Sequence, residues 1–190
     1  MKKFILFACT MLALSACTPK EDPLAAAIVS AMTREIDEPC QIRVTNLQKI
    51  DSTDFATEFG RRIGIYDARL KQNAFRMEKY LRDGMRNNAT RMFQEIQKDT
   101  KIFNELNVLK EMMGDDTLKV AYYDYSYTYG GKVGSQKLPS KQAFATVTPD
   151  GRVLTYAAKL SDLHKATGLV IPGYKELLDS FKDEVKEEDE

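Results

Sequence analysis

The sequence predicts an α+β domain in which helices, including a long helical hairpin, pack on one face of an antiparallel sheet. Two observations predict this fold class. Apolar residues over 54–113 recur at steps of three and four, which is typical of amphipathic helices, whereas those over 117–158 alternate with period two, which is typical of strands. Because short turns separate the strands of the second segment, we expect them to form a β-meander.

The first helix is predicted to begin at Asp22-Pro23, because aspartate caps a helix and proline suits its first turn. It must end before Pro39, which cannot continue a helix. A strand is then predicted over 41–50, from its alternation of apolar and polar residues. The alternation fails at Asn46-Leu47, which indicates a bulge or a strand end at that point.

A long amphipathic helix is predicted over 54–83, followed by a second helix that stops at Gly114. A short connection makes the two an antiparallel hairpin. Gly60 and Gly64 weaken the first helix, so we expect them either to allow close approach of another backbone or to mark a kink. Asp99 occupies what would be a core position of a heptad pattern, which argues against a sustained coiled coil.

Three strands are predicted next, over 118–129, 142–148 and 153–158. The glycine-rich segment 130–140 between the first two is predicted to be a loop. The turn between the last two is predicted at Pro149-Asp150-Gly151, because proline presets φ and glycine supplies positive φ. A short final helix precedes the acidic end 187–190.

In element order alone, the chain resembles the cystatin-like and nuclear-transport-factor-like folds, which place helices against a curved sheet. That resemblance implies a similar stacking of helices on the meander. It carries no functional implication, because folds of this kind host unrelated functions.

The N-terminal residues resemble a bacterial lipoprotein signal. Lys2 and Lys3 precede a mostly apolar run over 4–14, which is shorter than the ~20 residues that a membrane-spanning helix needs, and the run ends in Leu14-Ser15-Ala16-Cys17. The resemblance implies cleavage before Cys17 and lipidation of that cysteine. The predicted organisation is then a signal peptide at 1–16, a lipidated tether at 17–23, one α+β domain at 24–186 and an acidic tail at 187–190.

The residues after Cys17 refine the predicted localisation. Lys20-Glu21-Asp22 is similar to the export signal of surface lipoproteins in some Gram-negative bacteria. We therefore expect attachment to the outer membrane of the cell envelope, facing either the surface or the periplasm, through the N-terminal lipid.

Composition excludes several classes of function. With 28 basic and 28 acidic side chains the chain has no net charge to favour nucleic acid, so no nucleic-acid partner is predicted. His164 is the only histidine, which rules out a histidine-pair metal site, and Cys40 alone remains once Cys9 and Cys17 are assigned to the lipoprotein signal. No catalytic motif, metal or cofactor is predicted, and an enzyme is the less favoured hypothesis.

The candidate binding surface is a row of tyrosines. One face of the predicted strand 118–129 carries four of them, and a neighbouring strand adds a fifth; they are Tyr123, Tyr125, Tyr127, Tyr129 and Tyr156. Phenol rings stack on sugars and anchor protein partners, so a glycan or protein ligand is expected if the face is exposed. The alternative is that aromatic residues simply favour strands.

The candidate partner surface is an arginine stripe. Arg62, Arg69 and Arg76 recur every seven residues on the first helix of the hairpin, within a segment, 54–91, of net charge +4. A solvated face with local ion pairs is the alternative. Two hypotheses follow: a lipid-anchored module that binds a ligand through the tyrosine face, or an assembly lipoprotein that joins an envelope complex through its hairpin. The oligomeric state is left open.

Overall fold

The computed structural model describes residues 22–164 and 167–187, with side chains as far as Phe181. The regular elements follow one another in chain order: α1 (Pro23–Thr33), β1 (Cys40–Asp54), α2 (Phe55–Arg82), α3 (Arg86–Met113), a 3-10 turn (Gly114–Leu118), β2 (Val120–Val133), β3 (Gln136–Val147), β4 (Val153–Ala157), α4 (Leu160–Leu163), a second 3-10 turn (Thr167–Val170) and α5 (Tyr174–Glu187).

The four strands form one antiparallel sheet in the order β1-β2-β3-β4. This confirms the predicted α+β class and the meander. The helical hairpin α2–α3 is inserted between β1 and β2, which are nevertheless neighbours in the sheet. Both ends of the hairpin therefore start from adjacent strands, which fixes its base to one edge region of the sheet.

The hairpin begins without a linker, because Asp54 ends β1 and also caps α2. Its carboxylate accepts a hydrogen bond from the backbone N–H of Thr57 at 2.7 Å. Both helices are 28 residues long, about 42 Å at 1.5 Å per residue. Gly60 and Gly64 are exposed, α2 is continuous through them, and a Cβ at either would meet no atom within 4 Å. Of the two alternatives expected for these glycines, close approach of a second backbone is therefore excluded among the described residues.

The irregularity predicted at Asn46-Leu47 is present. The register of β1 against β2 shifts between Thr45 and Gln48, and Asn46 has a φ of 51°. The prediction of a loop over 130–140 was wrong. The strands continue through it to a tight turn at 134–135, where Gly134 supplies a positive φ of 56°.

Gly131 explains why a glycine-rich segment can remain in the ladder. Its φ is 146°, and a Cβ at this position would lie 1.9 Å from the carbonyl oxygen of Gln41 on β1. The segment is therefore rich in glycine because two strands approach closely, and the sequence pattern alone does not distinguish this from a loop.

Helices contact both faces of the sheet at different places, whereas packing on one face was predicted. On the face that carries Tyr127, α1 packs through Ile28 against a cluster that includes Val147. On the opposite face, Tyr122 contacts the first turn of α2 and Asp124 contacts His164, just after α4. A second apolar cluster joins α2, α3 and α5 at the base of the hairpin. Its buried members are Phe59, Tyr66, Ile102, Leu106, Ile171, Tyr174 and Phe181.

Candidate functional site

The tyrosine row lies on one face of β2, as alternation predicts, but α1 covers its centre. Tyr127 is 1 % exposed, packs with Ile28 and donates a hydrogen bond to the sulfur of Met32 at 3.5 Å. Burial raises the pKa of the Tyr127 phenol, with a smaller contribution from Tyr129. The expectation that this tyrosine is available to a ligand was wrong, because the sequence does not say that the first helix folds back over the strand.

The other tyrosines of the row differ in exposure. Tyr125 and Tyr129 are half-buried beside the same cluster, and the half-buried ring of Tyr123 lies under the ammonium of Lys49 at 4.0 Å. Tyr156, on the edge strand β4, is 47 % exposed. The row is thus a core element with one exposed end rather than a continuous contact surface.

Tyr156 borders a small open cavity between β4 and the end of α1. Its volume is about 260 Å³, which is close to the lower limit for small-molecule sites. The cavity is lined by Ala31, Arg34, Glu35, Val153, Leu154, Thr155 and Tyr156. The lining offers one cation, one carboxylate and one phenol, a set suited to a small polar ligand.

The three arginines of the stripe have three different environments. Arg62 is 8 % exposed and bonds to Glu58 at 2.7 Å, so its assignment to a partner face was wrong. Arg69 is half-exposed, lies over the ring of Tyr66 and forms an ion pair with Asp99 on α3 at 2.9 Å. Arg76 is exposed near the end of the hairpin. Of the three, only Arg76 has an accessible charge without an ion-pair partner in the part of the chain that the structure describes.

Asp99 supplies a polar layer between the two helices of the hairpin. The residue is 1 % exposed, and its second carboxylate oxygen, Oδ2, has no hydrogen-bond partner within the described residues. Burial raises the pKa of this carboxyl, against the opposite effect of Arg69. One helical turn nearer the tip, Asn73 donates to Glu95 at 3.4 Å. These polar pairs occupy heptad-like positions, as expected for Asp99.

The distal part of the hairpin, residues 75–93, combines exposed apolar and basic side chains. Four large apolar residues there are between 48 and 65 % exposed: Phe75, Leu81, Met85 and Phe93. Five basic residues are also exposed: Arg76, Lys79, Arg82, Arg86 and Arg91. Within the described residues none of the five forms an ion pair. Against two acidic residues, Glu78 and Asp83, the segment has a net charge of +3.

A buried polar cluster, which the sequence did not suggest, surrounds Glu58 at the base of the hairpin. Its fully buried carboxylate accepts hydrogen bonds from Arg61 at 2.6 Å, Arg62 at 2.7 Å, Tyr122 at 2.9 Å and Thr167 at 3.0 Å. Arg61 also donates to the Tyr122 hydroxyl. Burial raises the pKa of Tyr122, which keeps the phenol protonated as a donor. Four donors from α2, β2 and the segment after α4 satisfy the buried carboxylate, so the cluster connects these three parts of the domain.

Beside this cluster, His164 pairs with Asp124 across 2.7 Å, and Asp124 also accepts from Thr146 at 2.7 Å. Asp124, whose carboxylate lies 2.7 Å from the His164 ring, comes from β2 and is 40 residues away in sequence. An aspartate–histidine pair is two-thirds of a hydrolytic triad. In the described part of the chain no hydrogen bond joins a hydroxyl or thiol to the other ring nitrogen of His164, so a third member of a triad is not seen there.

No group of histidine, cysteine or acidic side chains suited to a metal ion occurs among residues 22–164 and 167–187. None of the helices in those ranges is long and apolar enough to cross a bilayer. Cys17 and the other residues of the predicted lipoprotein signal lie outside the described residues. Comparisons with protein-family models, with curated protein sequences and with solved structures found no match to this chain.

Proposed function

We propose that the protein is a lipid-anchored envelope protein that docks onto another envelope component through the distal part of its helical hairpin. The observation that carries this proposal is the combination, in residues 75–93, of four exposed large apolar side chains with five basic side chains that form no ion pair with any described residue. The anchor is the lipid expected on Cys17.

The packing of the hairpin supports a projecting role. Among the described side chains, the apolar cluster that joins the hairpin to α5 extends to Tyr66 on α2 and begins at Ile102 on α3. From Tyr66 to Arg82 the helix extends a further ~24 Å at 1.5 Å per residue. Burial of apolar surface by a partner contributes on the order of 25 cal/mol for each Å². The exposed apolar side chains of the distal part could therefore contribute to binding, since the fold itself does not bury them.

Polar contacts also hold the two helices of the hairpin in one register, which fixes the position of the tip relative to the base. The pairs Arg69–Asp99 and Asn73–Glu95 place polar contacts at defined levels between the two helices. A one-turn slip of one helix against the other would leave the buried Asp99 carboxylate without Arg69. Polar layers of this kind set the register of paired helices.

Site-specific photocrosslinking in cells tests the docking proposal. A photoreactive amino acid at Met85 should give a discrete adduct, either with a protein or with lipid. The matched control is the same substitution at Met112, which is on α3, is 78 % exposed and lies at the other end of the hairpin. Equal labelling at both positions, or none at Met85, would contradict the proposal.

Membrane attachment is tested separately by metabolic labelling with an alkyne fatty acid. The wild-type protein should be labelled and Cys17→Ala should not, because the thiol is the predicted acceptor. Equal labelling of the two would remove the lipid anchor from the proposal while leaving the hairpin result intact.

A second candidate function is ligand binding at the cavity beside Tyr156. The observation that favours it is the open volume of about 260 Å³ next to the one strongly exposed tyrosine of the row. A glycan or peptide screen should then give hits that Tyr156→Ala and Arg34→Ala abolish. Retained binding in both variants would exclude this cavity.

A further inference from the structure

The apolar side chains at the end of the hairpin point in different directions. Tyr66 and Asn73 face α3. Phe75 lies nine residues after Tyr66, which is about two and a half helical turns, so Phe75 is on the opposite side of α2. Leu81, six residues on, is ~120° away from Phe75 by the same count. Phe93 belongs to the other helix. One flat or grooved protein surface cannot cover all of these side chains, whereas a fluid medium that surrounds the tip can.

The apex itself has the composition of a shallow insertion. The turn between α2 and α3 carries Met85, with Gly84 at a φ of 70°, and Leu81 lies one turn before it. Phe75 is seven residues behind Arg82, and Phe93 seven behind Arg86, each ~10 Å along its helix. Leu81 and Met85 thus lie within the ~5–10 Å depth to which interfacial elements enter the boundary of headgroups and acyl chains, and Phe75 and Phe93 lie at or just beyond its lower limit.

The basic residues occupy the same ~10 Å. Arg76, Lys79, Arg82, Arg86 and Arg91 are interspersed with the apolar residues and form no ion pair among the described residues. Long basic side chains can extend away from an inserted apolar surface toward headgroup phosphates while their stems remain in contact with it. Each basic residue near an anionic lipid surface contributes by electrostatic attraction, so the charge of the tip complements an anionic bilayer.

We propose that the distal part of the hairpin, residues 75–93, binds the surface of an anionic lipid bilayer by inserting Leu81 and Met85 between headgroups that its arginines and lysine contact. This proposal rests on the docking function and names the class of its target. It adds a membrane contact distinct from the lipid on Cys17, one in which the folded domain itself participates.

The test uses the chain from residue 17 with Cys17→Ser, so that neither the signal segment nor a lipid can bind vesicles, and every described residue is kept. The sequence contains no tryptophan, so a single Met85→Trp substitution gives a fluorescence signal without background. Its emission should shift to the blue on addition of vesicles of phosphatidylcholine with about one-third phosphatidylglycerol. Met112→Trp, at the far end of α3, should show no shift.

The electrostatic part is tested by vesicle flotation. Replacing Arg82 and Arg86 with Gln should weaken binding about 30-fold, because each basic residue near the surface contributes roughly 1 kcal/mol of attraction. Salt at about 1 M should also release the protein, since the Debye length falls to ~3 Å. A matched pair on the same hairpin, Lys71→Gln with Lys110→Gln, removes two exposed charges outside the tip and should leave binding nearly unchanged.

The outcomes are distinct. Equal shifts of the two tryptophans, no shift at Met85→Trp, or equal binding to purely neutral vesicles would each overturn the membrane proposal. A protein adduct at Met85 in cells together with absent vesicle binding would overturn it while leaving the docking function in place. Absence of any adduct at Met85 would instead remove the docking function, whatever vesicles show.

Discussion

Removal of the Glu58 carboxylate should destabilise the protein more than most single substitutions, because Glu58 is fully buried and holds together segments distant in sequence. Its oxygens accept hydrogen bonds from Arg61, Arg62, Tyr122 and Thr167. Arg62 is 8 % exposed, so Glu58→Ala takes the Glu58 carboxylate away from a buried guanidinium. Breaking a buried ion pair by deleting one partner costs about 3–5 kcal/mol.

The assay is equilibrium unfolding in urea at pH 7. With a urea dependence of about 2 kcal/mol per molar, typical of a small domain, a loss of ~4 kcal/mol lowers the midpoint by ~2 M. The control is Glu78→Ala, an exposed acidic residue on the same helix, which should change stability by no more than ~0.5 kcal/mol. A loss below ~1 kcal/mol in Glu58→Ala would refute the view that the cluster joins the hairpin to the sheet.

Three further predictions concern the core, the hairpin and pH. Tyr127→Ala should lower the free energy of unfolding by about 3–5 kcal/mol in the same assay, whereas Tyr156→Ala should change it by at most ~0.5 kcal/mol. Gly60→Ala and Gly64→Ala should each raise the free energy of unfolding by up to ~1 kcal/mol, and with it the melting temperature, because both sites are helical and open. A lower melting temperature would contradict the absence of atoms within 4 Å of a Cβ at these positions. The hydrogen bonds from Thr57 hold the pKa of Asp54 below its ordinary value, so the ionised cap stabilises the protein above the unfolded-state pKa of ~3.9 and this stabilisation is lost as pH falls through the folded-state pKa. The stability difference between wild type and Asp54→Ala, about 1 kcal/mol at pH 7, should therefore shrink in urea titrations below about pH 4, and a constant difference would contradict it.

Local structure was predictable where one physical signal dominated. The 3.6-residue period gave both long helices, and the stop at Gly114 and the cap at Asp54 have local causes. The irregularity near Asn46 was readable because the alternation itself fails there. The strand structure around Gly131 could not be predicted, because glycine is favoured both in loops and where two strands approach closely.

The candidate site was less predictable, because periodicity specifies a face and not a depth. Arg62, Arg69 and Arg76 share one stripe, yet only Arg62 is buried, and its contacts include Glu58 and Thr167, the latter 105 residues away in sequence. Likewise Tyr127 was on the predicted face, but α1 returns over that position. Such differences depend on tertiary contacts between distant segments, which no local pattern in a single sequence records.

The Glu58 cluster also bears on how the hairpin tip could act. It connects α2 with β2 through Tyr122 and with the segment after α4 through Thr167, so the base of the hairpin is bonded to two other parts of the domain. The direction in which the tip projects from the sheet is then set by these buried bonds. Under the proposed function, the tip meets a surface while a lipid ahead of α1 anchors the chain, and this needs such a fixed direction. If docking occurs as proposed, loosening the base by Glu58→Ala should weaken it even though residues 75–93 are unchanged, because the buried Arg62 then loses the carboxylate that holds α2 to the rest of the domain.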